Sequence, residues 1–258
     1  WVIIFERNNM QKTISSKLKS PVSIVTIWLL ITIIAILLHK FSVFEHIESS
    51  SLDFRFKHFP IEERADSSIV LVAIDDQSLE FANNNGTFWP WPREFYAFVT
   101  DYLTQCGAKQ VIFDIQFNEA DYNRGDLDSA ESDRAFAQSM EHNGQVILSG
   151  QALLDKKDTW LHRDLPELKI AGIALDYPSP YQSLSLPIEK FRSKASAFGL
   201  INIIPDNDGV VRRVPLIYQI AGKPYPQISL IAWVKQIDAD SICLADSHLK
   251  VSGSNIPL

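Results

Sequence analysis

Three consecutive segments between residues 110 and 150 decide the fold, and they read QVIFDIQF (110–117), SAESDRAFAQSMEHN (129–143) and QVILSG (145–150). The first and third are short apolar runs, a pattern typical of strands that are buried on both faces of a sheet. The middle segment is polar and acidic, and Gly144 follows it at the position of a helix C-cap. A strand, a helix and a strand at these lengths predict a right-handed crossover within a parallel sheet.

The segments upstream extend this pattern. IVLVAI (69–74) predicts a further strand buried on both faces, and REFYAFVTDYLTQC (93–106) predicts a helix that begins after Pro92 and stops at Gly107. Before them, residues 43–59 predict a helix that continues onto the domain surface from a preceding apolar segment.

The segments downstream are less regular. Residues 152–187 contain four prolines and predict a long surface excursion. After it we expect a short helix (188–195), strands at 198–204 and 210–220 joined by a hairpin turn at Asp208-Gly209, an apolar helix (226–237) and weakly specified strands around SICLA and HLKVSG. The predicted fold class is α/β: a parallel-sheet βαβ core with helices on both faces and a C-terminal β-hairpin and helix, preceded by one N-terminal transmembrane helix.

The N-terminal apolar run VSIVTIWLLITIIAILL (22–38) contains no charged residue. As a helix it would be about 25 Å long, and the residues up to 44 extend it past the hydrocarbon thickness of a bilayer. Lys12, Lys17 and Lys19 precede the run, so the N-terminus is predicted to be cytoplasmic. We therefore expect a cytoplasmic tail (1–21), a signal-anchor helix (22–44) and a periplasmic domain (45–258). A buried core helix and a cleaved signal peptide are the alternatives.

Composition and charge exclude several classes of protein. The 46% hydrophobic and 21% charged residues exclude a largely disordered chain, and a net charge of -7 argues against a nucleic-acid partner. The two cysteines, Cys106 and Cys243, are too few for a disulfide scaffold, and we expect two core thiols, with one bridge as the alternative. Met10 has the sequence context of an initiator, so residues 1–9 are expected to be non-native.

Acidic residues follow the first two predicted strands. Asp75 and Asp76 come directly after IVLVAI, and Asp114 lies near the end of the next strand. The carboxyl ends of parallel strands form a ligand-binding crevice, where Glu119 and Asp121 could add oxygen ligands for Mg²⁺ or Ca²⁺. The alternative is structural: Asp76 caps a helix, and Asp75 or Asp114 accepts hydrogen bonds from the loop backbone.

The segment FWPWPREF (88–95) places two tryptophans, each followed by proline, in one stiff corner. Trp89 and Trp91 could form an aromatic wall for a ligand or a dimer contact, or a lid on the sheet edge with Arg93 paired to a strand-end aspartate. On the later strand Arg212 and Arg213 alternate, so one of them is expected to face the core and pair with a carboxylate, with an exposed pair as the alternative. No nucleophile motif, zinc motif or glycine-rich phosphate loop is present, so no catalytic residue is predicted.

Several segments together resemble the CHASE2 extracytoplasmic sensory domain of bacterial transmembrane receptors. They cover residues 50–235 in the order of that family: SLDFRF, IVLVAIDDQSLE, WPWPREFYAFVTDYLTQCGAKQVIFDIQF, DRAFAQSM and AFGLINIIPDNDGVVRRVPLI. The resemblance implies a non-enzymatic periplasmic input module on the bacterial inner membrane, with an unidentified small-molecule or envelope signal and a homodimeric receptor. It also implies a cytoplasmic output, most often a class III adenylate cyclase and otherwise a histidine kinase, a Ser/Thr kinase or a diguanylate cyclase.

The resemblance transfers no binding residue, because the ligands of the family are poorly defined. The candidate ligand-binding residues therefore come from the residue patterns alone: Asp75, Asp76, Trp89, Trp91, Arg93, Asp114 and Arg212. A structural dimerisation module is the second hypothesis, and a membrane-anchored metal-dependent hydrolase that uses Asp75, Asp114 and Glu119 is the third. Because the sequence stops at Leu258 without an output domain, the chain is expected to be a fragment of the receptor or a truncated gene product.

Overall fold

The computed structural model describes residues 21–40, 43–59, 68–155, 169–171, 180–239, 241–245, 248–251 and 254–257. The chain divides into two compact units, Trp1–Ala73 and Ile74–Leu258. The predicted cytoplasmic tail lies almost entirely outside the described residues.

The first unit contains two helices, α1 (Pro21–Lys40) and α2 (Val43–His58). Helix α2 confirms the helix predicted for residues 43–59. Its last turn carries Arg55, Lys57 and His58, and cations at this end interact favourably with the helix dipole. None of the helices in the described part of the chain combines the length and the apolar character that a membrane crossing requires.

The strand predicted at residues 69–74 is wrong. These residues form no strand in the structure, and Ile69, Val70 and Leu71 expose 80%, 78% and 90% of their surface. An apolar, β-branched run becomes a strand only where a neighbouring strand completes its backbone hydrogen bonds. None of the described strands pairs with this run.

The second unit alternates helices and strands. Its elements in chain order are α3 (Asp76–Asn84), α4 (Arg93–Gln105), β1 (Val111–Phe113), α5 (Ser129–Asn143), β2 (Val146–Leu153), β3 (Lys169–Ala171), β4 (Ser183–Ser185), α6 (Glu189–Arg192), β5 (Ala197–Leu200), β6 (Ile217–Ile220), β7 (Lys223–Pro226), α7 (Ile228–Gln236), β8 (Ser241–Ala245), β9 (His248–Val251) and β10 (Ser254–Pro257).

Strand β2 is the centre of the main sheet. It pairs in parallel with β1, where Val111 lies opposite Val146, and with β5, where Ile147 lies opposite Ala197. Its C-terminal half pairs antiparallel with β4. The parallel sheet predicted from segments 110–150 is therefore confirmed, with one antiparallel strand added.

Helices cover both faces of this sheet, as predicted. Val146 and Leu148 pack into a core with α4 and α5 that includes Tyr96, Phe117 and Phe136. Ile147, which points to the other face, packs with α7. Helix α5 has the bounds expected from the sequence and ends at Gly144 in the left-handed conformation (φ 70°).

The chain from residue 152 onward departs from the prediction at two places and adds a strand to it at a third. Residues 152–187 are not wholly irregular, because they contain the end of β2 as well as β3 and β4. A turn forms at Asp206–Gly209, but the residues that flank it are not strands, and the hairpin lies instead at β6–β7. Strands β8, β9 and β10 confirm the strands around SICLA and HLKVSG and add one more.

Cys106 and Cys243 are both exposed, so the prediction of two core thiols is wrong. Cys106 follows the last turn of α4 and precedes Gly107, whose backbone is left-handed (φ 85°).

Candidate functional site

The acids at the predicted strand ends do not converge on a metal. Asp75 is the N-cap of α3: its Oδ1 accepts hydrogen bonds from the Ser78 backbone N (2.9 Å) and Oγ (2.7 Å), which lower the pKa of the carboxyl. Asp76 and Asp114 are exposed. In the described residues, no group of three His, Cys, Asp or Glu side chains could hold a metal ion.

The tryptophan corner stands at the start of α4. The rings of Trp89 and Trp91 meet edge to face with their centroids 5.7 Å apart, and Trp91 lies 6.3 Å from Phe95. Trp89 exposes 48% of its surface, whereas Trp91 packs against the core shared by α4 and α5. One ring is therefore open to a partner or ligand while the other anchors the corner.

A buried polar cluster lies beside this corner, and we call it the Asp121 cluster. Its members are Arg93, Asp121, Arg124, Ser132 and Asp133. The Asp121 carboxylate accepts hydrogen bonds from the Arg93 backbone N (3.0 Å), Ser132 Oγ (2.6 Å) and Arg124 Nη1 (2.6 Å). Because the Asp121 side chain is only 1% exposed, these donors replace the water that would otherwise solvate its charge.

The electrostatics of the cluster favour an ionised Asp121. Burial alone would raise the pKa of its carboxyl, but the hydrogen bonds from Ser132, the Arg93 backbone and Arg124 outweigh burial and lower the pKa. Arg124 also donates from Nη2 to the Pro90 carbonyl (2.9 Å). One ion pair thus fastens the tryptophan corner to the loop that follows β1.

The same cluster reaches two helices. The backbone N of Asp121 donates to Asp133 Oδ1 on α5 (3.1 Å), and the second oxygen of Asp133 lies 3.2 Å from Lys190 Nζ on α6. The Asp133 side chain is 2% exposed. The corner, the loop and both helices are therefore joined through buried carboxylates.

Arg93 contacts the cluster differently from the predicted ion pair. Its backbone amide binds Asp121, whereas its guanidinium lies 4.9 Å from the centre of the Phe117 ring and donates weakly to the Glu119 carbonyl (3.4 Å). Among the described residues, neither Asp75 nor Asp114 belongs to these hydrogen bonds.

Arg212 belongs to a separate site. Its side chain is 4% exposed, with Nη1 2.9 Å from Asp206 Oδ2 and Nη2 2.7 Å from Asp208 Oδ2. The hydrogen bond from Arg212 lowers the pKa of Asp208 to about 2. The neighbouring Arg213 side chain is 64% exposed, which confirms that one of the two arginines turns inward and pairs with carboxylates.

Two polar residues have roles that the sequence patterns did not predict. The Asn202 side chain receives a hydrogen bond from the Ala152 backbone N (2.7 Å) and donates one to the Ala152 carbonyl (2.8 Å). The Asn202 amide therefore hydrogen-bonds to the β2 backbone as a strand residue would, beyond the end of β5. The burial of Asp133 could have been predicted, because helical spacing places it on the same buried face of α5 as Phe136, Ala137 and Met140.

Comparison with known families identifies the chain. The model of the CHASE2 domain matches residues 27–254, so the chain belongs to the CHASE2 family, and the resemblance seen in its ordered segments is confirmed. No curated protein and no solved structure matches it. CHASE2 domains are extracytoplasmic sensory domains.

Proposed function

We propose that this CHASE2-family chain is the sensory input module of a bacterial transmembrane receptor and passes an environmental signal to a cytoplasmic output domain. The observation that carries the proposal is the family match over residues 27–254. An adenylate cyclase is the proposed output, and a histidine kinase, a Ser/Thr kinase or a diguanylate cyclase are the alternatives. In this role the chain itself supplies no catalytic residue.

We further propose that residues 22–44 anchor the chain in the inner membrane, with residues 45–258 in the periplasm. The support is the uncharged run from Val22 to Leu38 and the basic residues that precede it. The proposed anchor extends past α1 to residue 44, and residues 41 and 42 lie outside the described residues.

Of the seven candidate binding residues, we propose that Trp89, Trp91 and Arg93 face the signal. These three lie on one corner, next to the buried Asp121 cluster that connects to α5 and α6. We assign no contact with the signal to the other four candidates, Asp75, Asp76, Asp114 and Arg212. Asp75 caps a helix, and Arg212 pairs with Asp206.

Topology reporters test the location. Alkaline phosphatase, which is active only in the periplasm, and green fluorescent protein, which fluoresces in the cytoplasm, are each fused after Leu258 and expressed in bacteria. We expect an active phosphatase fusion and a dark fluorescent fusion. The matched control changes Lys12, Lys17 and Lys19 to Glu, which should reduce phosphatase activity by weakening the orientation signal. A fluorescent wild-type fusion without phosphatase activity would contradict the proposal.

The reading frame beyond Leu258 tests the receptor assignment. A frame that continues into further apolar spans and a cyclase or kinase domain supports the receptor and names its output. A stop codon directly after Leu258 would contradict the receptor assignment and leave an anchored lone domain.

A second candidate function, a structural dimerisation module, is favoured by an apolar stripe on α4. Phe98 and Tyr102 expose 73% and 58% of their surface, and Phe95 and Val99 lie on the same helix face. Phe98→Glu should convert a dimer into a monomer in analytical ultracentrifugation, and the exposed Glu131→Gln on α5 serves as the control. If Phe98→Glu abolishes association and leaves the signal response intact, the structural role alone is supported.

A further inference from the structure

Four buried hydrogen-bond donors near the tryptophan corner have no acceptor among the described residues. They are Trp91 Nε1, Arg93 Nε, Tyr96 OH and Arg124 Nε. Arg93 is 9% exposed and Tyr96 is 3% exposed. Buried donors are almost always satisfied in folded proteins, so four in one region of the chain require an explanation.

These donors belong to one neighbourhood. Arg93 and Arg124 both bind the Asp121 carboxylate, and Arg124 also reaches the carbonyl of Pro90, the residue before Trp91. The Tyr96 ring lies 5.1 Å from Phe117, the same ring over which the Arg93 guanidinium sits at 4.9 Å. Asp121 and Phe117 therefore contact three of the four residues that carry these donors. The fourth, Trp91, lies two positions before Arg93 in the sequence.

The chemistry of the donors defines the partner they require. An indole N–H and an arginine Nε–H can only donate. Burial raises the pKa of Tyr96 to about 12, so its hydroxyl keeps its proton at neutral pH. A partner that satisfies all four groups must offer several acceptors, which a carboxylate or a phosphate does.

The charge balance favours an anion over a neutral acceptor. Arg124 pairs with Asp121, and the half-exposed Lys190 pairs with Asp133. The Arg93 guanidinium is only 9% exposed, yet in the described residues it contacts the Phe117 ring and the Glu119 carbonyl rather than a carboxylate. An anion at the four donors would supply its missing counter-charge.

We propose that Trp91, Arg93, Tyr96 and Arg124 form a binding site for a small oxyanion, a carboxylate or a phosphate. The inference rests on the proposed sensory function and names the chemical class of its signal. The donors would hold the anion by charge-assisted hydrogen bonds next to the Asp121 cluster, so binding would stabilise the corner, the loop after β1 and α5 together.

The test measures anion binding by the full 258-residue chain in detergent. Acetate, succinate, citrate and inorganic phosphate are titrated at constant ionic strength, with chloride as the reference, and thermal unfolding is followed by tryptophan fluorescence. We expect a saturable rise in Tm with at least one probe. The identity of that probe separates a carboxylate from a phosphate ligand.

Two variants test whether the anion binds at these donors. Tyr96→Phe and Trp91→Phe each remove one donor without a change in charge, and each should weaken the affinity for the active probe about tenfold or more. Tyr218→Phe is the matched control, because its buried hydroxyl already donates to the Asn202 carbonyl and lies outside this site. Its affinity for the probe should equal that of the wild type.

Two results would overturn the inference. One is the absence of a saturable Tm shift with every probe, which would indicate that water satisfies the donors. The other is an equal loss of affinity in Tyr96→Phe and Tyr218→Phe, which would indicate binding elsewhere. Neither result changes the activity of the phosphatase fusion, so failure of this inference is distinguishable from failure of the proposed function.

Discussion

The replacement of Asp121 by Asn should strongly destabilise the domain. Asp121 accepts hydrogen bonds from four donors: the Arg93 and Tyr122 backbone N atoms, Ser132 Oγ and Arg124 Nη1. An asparagine of the same shape keeps one acceptor oxygen but turns an NH₂ group toward the donors of the other oxygen. It also removes the negative charge that faces the Arg124 guanidinium in a site where the acid is 1% exposed.

The expected cost follows from these contacts. Each hydrogen bond to a charged group contributes about 1.5 to 3 kcal/mol, and Asp121→Asn loses two of them. The loss of one partner of a buried ion pair costs about 3 to 5 kcal/mol in other proteins. We therefore expect the free energy of unfolding to fall by about 3 to 5 kcal/mol. With a urea slope of about 2 kcal/mol/M, the unfolding midpoint moves down by about 1.5 to 2.5 M.

The effect should depend on pH with a definite sign. Because hydrogen bonds lower the pKa of Asp121 in the folded state, its stabilisation is complete above the unfolded pKa of about 3.9 and is lost as pH falls through the folded pKa. The wild type and Asp121→Asn should therefore differ by a constant amount between pH 5 and 8 and converge below about pH 4.

Urea unfolding followed by circular dichroism measures both effects. The control is Asp126→Asn, an exposed acid in the same loop, which should change stability by less than about 0.5 kcal/mol. A cost for Asp121→Asn below about 1 kcal/mol, or a difference that is unchanged at pH 3, would refute the account of the cluster given above.

Two further predictions use the same unfolding assay. In Gly199→Ala the new Cβ would lie 2.4 Å from the Ile228 Cα, so α7 must move away from β5, and we expect a loss of about 3 kcal/mol. Gly125→Ala is its control: the backbone there is left-handed (φ 57°) but nothing lies within 4 Å, so about 1 kcal/mol is expected and a larger loss than at Gly199 would contradict the steric argument. In Asn202→Ala the backbone N and O of Ala152 lose their partner, which should cost about 2 to 3 kcal/mol; a neutral variant would show that the amide does not extend the sheet.

Apolar periodicity and capping residues were sufficient to predict α4 and α5, although they did not predict α3 as an element. Helix α5 begins and ends where its sequence pattern predicts, because Asp128 caps its first turn and Gly144 supplies the left-handed residue after its last. The run at 69–74 shows the limit of the same method. Its composition reports a preference for extended backbone, but pairing depends on a neighbour that local sequence does not specify.

The candidate site was predictable in part for the same reason. The corner at Trp89 and Trp91 is visible in the sequence, because large rings next to prolines are local features. The partners of Asp121 are not local: Arg93 is 28 positions away along the chain and Ser132 is 11 positions away. Asp121 was therefore interpreted as an acid that could bind a metal, whereas the fold surrounds it with hydrogen-bond donors.

A sensor needs a site at which ligand binding changes the stability of other parts of the protein. The Asp121 cluster meets this requirement because it contacts the tryptophan corner and two helices. The same carboxylate that binds Arg93 on the corner hydrogen-bonds to Ser132 on α5, and the adjacent Asp133 pairs with Lys190 on α6. A ligand that accepts hydrogen bonds from Arg93 and Arg124 would directly change the electrostatic environment of the Asp121 carboxylate. The signal it produces is limited by its difference in affinity between two arrangements of these elements, and a nearly complete switch requires a ratio of about 10⁴. Because charge-assisted hydrogen bonds are about twice as strong as neutral ones, an oxyanion is the class of small ligand that we expect to come nearest to such a ratio at a site with two guanidinium groups.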